Sequence, residues 1–288
     1  MASSKIALIF DFDDTLTDDS TSALLSSLGV DIKAFWKEAN RLVTDELWDP
    51  TLAYLHLILR NIEQGKIPAL TNARLRAFGK TLKPYPGLKD FLKDLRSIAS
   101  KQFCEIEFYI VSGGIQDILD GFQLRSEFSA AWGCQLAAET PEGPVKFVKR
   151  AISFTEKTRY LFEINKGLDT NLVARNPYLV NDNVPAEKRR VPFKNMIYIG
   201  DGLTDVPCFS LVQKKPGDDD RGLAFGVFKP EQEESAKKAW VKLLAPARVT
   251  SLHAPRYRKK DDLGALLRTV VATLCVDIRT ASATAIGH

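Results

Sequence analysis

The chain has 288 residues, 45% of them hydrophobic and 26% charged, with 40 Lys and Arg against 36 Asp and Glu. That composition excludes a disordered chain, and no apolar run approaches the roughly 20 residues that a membrane-spanning helix needs. The length predicts about two structural units, or one domain with a large insertion. The net charge of +4 comes without a basic stripe interleaved with aromatics, so neither a nucleic-acid nor a membrane partner is expected.

The first apolar stretch, Ile6 to Phe10, is too short for a signal-peptide core and runs straight into acids. Four cysteines (Cys104, Cys134, Cys208, Cys275) lie far apart without a CxxC pair. They read as reduced, mostly buried thiols rather than a zinc site or disulfide framework, and a cytoplasmic location is expected.

In chain order, a strand is expected over residues 5–11, followed by a stretch of successive helices over 19–83 with no convincing buried strand. Apolar residues recur there at helical spacing through Ile32, Phe35, Trp36, Leu42, Val43 and Leu47, and again from Leu52 through Leu57 to Leu59. Gly29 and the Gly65–Pro68 segment punctuate these helices, and Trp36 and Trp48 read as core of the insert. From Pro84, Pro86 and Gly87 onward, apolar runs alternate with amphipathic segments, the pattern of parallel strands with helical crossovers. Helices are expected over 87–99, 115–122, 155–165, 204–212, 231–244 and 263–276. Strands are expected over 106–112, 195–200 and 222–228, with further extended segments near 130–137 and 248–253.

The segment 168–193 joins a helix to a strand, so it is expected at the N-terminal edge of the sheet, in a surface or subunit-contact role. Arg256, Arg258, Lys259 and Lys260, with Tyr257 among them, read as a solvated helix entry, and residues 281–288 as a disordered tail. The expected fold is an α/β, doubly wound, mostly parallel sheet. Its core comprises 1–18 and 84–288, with a small helical cap, 19–83, inserted after the first strand.

Four strand ends carry chemistry. At the first, Asp11 and Asp13 alternate onto one side of an extended segment. Two such carboxylates facing a crevice are costly unless a cation or substrate offsets them, although acidic pairs also serve turns and helix caps. At the second, Ser112 is followed by Gly113 and Gly114, a turn that can aim backbone N–H groups at an anion. At the third, Thr155 is placed to cap a helix whose first turn carries Lys157. A cation is unfavourable there unless it pairs with a phosphate or carboxylate, and Lys146, Lys149 and Lys166 are competitors. At the fourth, Asp201 stands between Gly200 and Gly202, with Asp205 four residues on, an oxygen-ligand arrangement suited to Mg²⁺. Ligands of open α/β sheets bind at the C-terminal edge of the strands. A carboxylate nucleophile, a second acid, an anion-binding turn, a lysine and a metal ligand at that edge make a kit for phosphoryl transfer.

These residues resemble the four motifs of the haloacid dehalogenase superfamily. In order they are Asp11-Phe-Asp13-Asp-Thr15, Ser112 after a hydrophobic strand, Lys157, and Gly200-Asp201-Gly-Leu-Thr-Asp205. The insert between the first two looks like the family's C1 cap, as in the phosphoserine phosphatase branch. The resemblance implies that Asp11 attacks phosphorus and forms an aspartyl phosphate. Asp13 would act as general acid and then base. Mg²⁺ would be held by Asp11, the Asp13 carbonyl and Asp201, and phosphoryl oxygens by Ser112, the Gly113 amide and Lys157. Asp205 would orient a metal-bound water or Lys157, and Thr15 would shape the loop.

Family dehalogenases lack the acid at position 13, so hydrolysis of a small phosphorylated metabolite is the expected reaction. In the phosphoserine branch a glutamate nine residues after the nucleophile grips the substrate amine. Here that position is Ser20, which argues against phosphoserine as the substrate. Arg41, Arg60 and Arg74 could meet an anionic substrate from the cap but read by default as solvated surface. A phosphomutase, a receiver-type signalling domain and a binding protein on the same fold are the alternatives.

Overall fold

The computed structural model describes residues 4–213, 217–218 and 220–284. β1 (Lys5–Phe10) is buried along almost its whole length because it has a strand on either side and helices above and below. Four helices follow: α1 (Ser20–Ser27), α2 (Ile32–Glu46), α3 (Pro50–Glu63) and α4 (Asn72–Gly79). Each starts on a side-chain cap, from Asp19, Asp31, Asp49 and Thr71 in turn, and α3 has Pro50 in its first turn. These caps satisfy N–H groups that have no partner inside the helix, which is why short helices hold here.

α5 (Leu88–Lys101), β2 (Glu105–Ile115), α6 (Gln116–Gly121), β3 (Ala130–Ala138) and β4 (Val145–Arg150) come next. They are followed by α7 (Glu156–Lys166), α8 (Thr170–Arg175), β5 (Met196–Gly200), α9 (Val206–Val212) and β6 (Leu223–Val227). The chain continues through α10 (Glu233–Ala239), with a wider turn over Trp240–Leu244, then β7 (Ser251–His253) and α11 (Asp262–Thr284). The seven strands lie in the order β4-β3-β2-β1-β5-β6-β7, all parallel except β4, which pairs antiparallel with β3.

Several expectations are corrected in detail. β4 was not anticipated: as an edge strand it leaves most of its side chains at least partly exposed, and Lys and Arg dilute its apolar signal. β2 runs on through Ile115, so Gly113 and Gly114 lie within a strand rather than a turn. α11 continues through Thr284, so Ala281–Thr284 are helical where a tail was expected; residues 285–288 lie outside the described residues. Tyr257 is fully buried, not part of a solvated helix entry: its ring packs on Phe10 and Phe91, and its hydroxyl donates to the Thr15 carbonyl at 2.7 Å.

The two connections to the α1–α4 stretch run side by side, joined by Thr17 Oγ1 to the Lys83 carbonyl at 2.9 Å and by the Tyr85 amide to the Leu16 carbonyl at 2.8 Å. α4 packs on α6 at close range. A Cβ at Gly121 would meet the Arg76 carbonyl at 2.0 Å, and one at Gly79 the Ile118 carbonyl at 2.2 Å. Trp36 and Trp48 are half-buried and pack inside the stretch, Trp36 between Phe35 and Tyr54 and Trp48 against His56. All four cysteines are free and buried.

The segment after α7 does lie at the N-terminal edge of the sheet. There Ala186 and Arg189, with Met196, Leu223 and α11, line a groove of about 1210 Å³. None of the sequence-predicted site residues lines that groove.

Candidate active site at the C-terminal edge of the sheet

β1 and β5 are hydrogen-bonded neighbours, so the residues just beyond their C-terminal ends, Asp11 and Asp201, are brought together; the Asp11 amide donates to the Ile199 carbonyl at 2.8 Å. α7 packs against α9 and directs Lys157 inward, where it is 1% exposed. Its ammonium stands 2.9 Å from Asp11 Oδ1 and 2.7 Å from Asp205 Oδ1. A lysine is this deeply buried only when its charge is met. Carboxylate oxygens of Asp11, Asp201 and Asp205 lie within 4.8 Å of one another, a cluster that could hold a metal ion. Asp205 also accepts from the Tyr198 hydroxyl at 2.7 Å and from the Gly202 amide at 3.2 Å.

Burial disfavours the charged form of each acid. Asp11 is pushed up to about 6 by burial and by Asp205, with Lys157 pulling it back down. Asp201 is also held well above the usual carboxylate range, by burial and by Asp11 and Asp205. Asp13 goes higher, to about 8, through burial and the neighbouring Asp19 charge. Its Oδ1 accepts the Ser20 amide at 2.7 Å. A Cβ at Gly114 would lie 2.8 Å from Asp13 Oδ2 and 3.2 Å from Ser112 Oγ, so the second strand end presses directly against the first.

Ser112 is 1% exposed and its Oγ accepts the Gly114 amide at 2.9 Å. The second strand end is therefore a bulged strand in which the Gly114 N–H is already engaged by Ser112. Thr15 is buried beneath the loop, its carbonyl tied to Tyr257. Thr155 makes no capping bond, because its φ of −76° and ψ of −28° are helical rather than extended.

The competing cations are engaged elsewhere. Lys146 pairs with Glu139, and Lys166 binds the Val180 and Asp182 carbonyls. Arg41 and Arg60 bind Glu38, and Arg74 binds the Ala69 carbonyl. Lys149 stands apart, in a polar recess formed by α4, α6 and the β3–β4 hairpin.

Three participants escaped the sequence reading. Tyr198 lies within β5, where an aromatic residue reads as core. Lys229, 2.6 Å from Asp14 Oδ1, could have been found by extending the strand-end rule to β6. Tyr54, on α3, donates its hydroxyl to the Gly113 carbonyl, and no local pattern signals that contact. Asp14 takes a left-handed φ of 55°, which aspartate tolerates better than most residues.

Solved structures share this fold. A haloacid dehalogenase family hydrolase from Salmonella enterica serovar Typhi superposes with a TM-score of 0.57 at 15% identity, over 94% of this chain and 72% of that one. A phosphoserine phosphatase captured as a phospho-aspartyl intermediate analogue gives 0.52 at 14% identity, over 92% and 99%. A probable phosphoserine phosphatase from Vibrio cholerae gives 0.53 at 13%, over 97% and 68%. The fold is that of the haloacid dehalogenase superfamily.

Within that fold, the chain is 31% identical over 235 residues to an uncharacterised protein of Borreliella burgdorferi, covering 72% of this chain and 78% of that one, and it belongs to the same family. No protein-family model matches the chain. No helix among the described residues is long and apolar enough to cross a membrane.

Proposed function

We propose that this protein is a cytoplasmic, Mg²⁺-dependent phosphatase that hydrolyses a small phosphorylated metabolite through an aspartyl phosphate on Asp11. The observation that carries the reading is Lys157, buried and held between Asp11 and Asp205 beside Asp201. The ammonium fixes the rotation of the Asp11 carboxylate and keeps it ionised below the pH at which Asp13 titrates. Two acids whose surroundings separate their pKa values can divide the work of nucleophile and proton donor. Asp11 attacks phosphorus. Asp13, still protonated near neutrality, gives its proton to the departing alcohol and then takes one from the water that cleaves the acyl phosphate.

The donor set fits a hard divalent cation: it is all oxygen, anionic and poorly solvated. Asp11, the Asp13 carbonyl and Asp201 would hold Mg²⁺, which when bound supplies charge neutralisation at the phosphoryl group. Ser112, the Gly113 amide and Lys157 bind phosphoryl oxygens, while Asp205 positions Lys157 and Thr15 supports the loop. Residues 19–83 form a cap over the core made by the described residues of 1–18 and 84–288. Ser20 stands where an amine-gripping glutamate would, which argues against phosphoserine as the substrate.

The test is phosphate release from p-nitrophenyl phosphate and a panel of phosphorylated metabolites, by wild type and Asp11→Asn, each with Mg²⁺ and with EDTA. Release that needs the metal and is lost in the variant is expected. Metal-dependent phosphorylation of Asp11 without net hydrolysis would replace the phosphatase with a mutase. Absence of both turnover and phosphoenzyme would refute the enzyme.

A further inference from the structure

The β2–β3 ladder breaks its register between Val111 and Ile115, which takes Ser112, Gly113 and Gly114 out of regular pairing. Buried backbone groups released in this way must find other partners. The Gly113 carbonyl accepts the Tyr54 hydroxyl at 2.5 Å from α3 and the Cys134 thiol at 3.2 Å from β3. The amide across the same peptide bond, that of Gly114, donates to Ser112 Oγ at 2.9 Å. With Oγ accepting that bond, the Ser112 hydroxyl proton remains available to donate to a further acceptor. One rigid peptide plane thus has its carbonyl tied to an α3 side chain and its N–H tied to the serine of the second motif.

A second bond, Thr51 Oγ1 to the Ile152 carbonyl at 3.4 Å, ties α3 to the loop between β4 and α7, five residues before Lys157. Tyr54 itself is only 8% exposed and packs on Trp36 at 5.8 Å, so its ring is held by apolar contacts that do not depend on the hydroxyl.

We propose that Tyr54 is a positioning residue: its hydroxyl, acting through the Gly113–Gly114 peptide, orients the Ser112 hydroxyl for a phosphoryl oxygen and makes phosphate affinity depend on α3 being seated. The inference rests on the phosphatase reading of Ser112. Aligned hydrogen bonds in a poorly solvated site reinforce one another, so loss of the first weakens the last. Helix α3 belongs to the inserted stretch, and its docking is thereby felt at the phosphate.

The experiment is a double-mutant cycle on inorganic phosphate binding by calorimetry in Mg²⁺, with Tyr54→Phe, Ser112→Ala and the double variant. Tyr54→Phe keeps the ring and removes one neutral hydrogen bond, so its Kd should rise about 3- to 10-fold. Its kcat/KM for p-nitrophenyl phosphate should fall by a similar factor, with an unchanged melting profile confirming the fold. In the Ser112→Ala background the same substitution should change Kd by less than about 1.5-fold, because the relay has no end point.

An equal loss in both backgrounds, or no loss in the first, overturns the relay while leaving the phosphatase intact. Wild-type protein that binds no phosphate would remove the phosphatase reading, and the relay with it, before any variant is made.

Discussion

Replacing Lys157 with methionine, similar in length but uncharged, removes the single cation between Asp11 and Asp205. Taking one partner from a buried ion pair typically costs about 3–5 kcal/mol, because the remaining charge is left unmet. Asp205 keeps the Tyr198 hydroxyl and the Gly202 amide as donors, which places the expected loss at the lower end, about 3 kcal/mol, in metal-free protein at about pH 8.

The loss should depend on pH. With Lys157 present, Asp11 already titrates at about 6, and without it the Asp11 carboxyl rises further. At about pH 5 Asp11 is protonated in the folded variant, its unmet charge is gone, and the loss should shrink to about 1 kcal/mol. The lysine itself stays charged throughout, so the trend belongs to Asp11. Urea unfolding of wild type and Lys157→Met in EDTA at the two pH values gives both differences directly. Equal losses at the two, or a loss below about 1 kcal/mol at the higher, would show that the ammonium is not what holds Asp11 in its charged form.

The same electrostatics predict that metal-free wild type loses stability as pH rises. Folded pKa values of about 6 for Asp11 and about 8 for Asp13, with Asp201 also raised, lie above the unfolded value. The stabilising contribution of this cluster is therefore full below about pH 4 and drains away through about pH 8 as the unfolded chain gives up its protons first. Unfolding midpoints in EDTA should register that decline, and Mg²⁺ should recover more stability at about pH 8 than at about pH 5; a larger metal effect at the lower pH would contradict the clustered, desolvated carboxylates. Gly114→Ala places a methyl 2.8 Å from Asp13 Oδ2. It should cost about 1–3 kcal/mol in unfolding yet lower kcat about 100-fold by displacing the proton donor; steady-state rates beside a melting curve separate the two, and an unchanged kcat would mean that Asp13 can shift without penalty.

Much of the candidate site was legible because of where strands end. Hydrophobic runs that stop at an acid or a serine are local features of the chain, and a parallel α/β sheet gathers such ends along one edge. Hence Asp11, Ser112 and Asp201 could be named from spacing. The helical character of 19–83 was legible for a similar reason, since a 3.6-residue apolar period is a property of the segment itself.

What only the tertiary structure decided is everything that depends on two distant segments meeting. The sequence named Lys157 ahead of Lys146, Lys149 and Lys166, but its partners, Asp11 and Asp205, came only with α7 packing beside α9, because any lysine has the same charge until burial forces it to find a partner. The bonds from Tyr257 to Thr15, 242 residues apart, and from Tyr54 to Gly113, 59 apart, leave no periodic trace. β4 was missed because an edge strand mixes solvent-facing charge into its apolar pattern. Patterning along a chain reports which face of an element is buried; which polar atom meets which across the fold is set only when the elements pack and buried donors and acceptors must be satisfied.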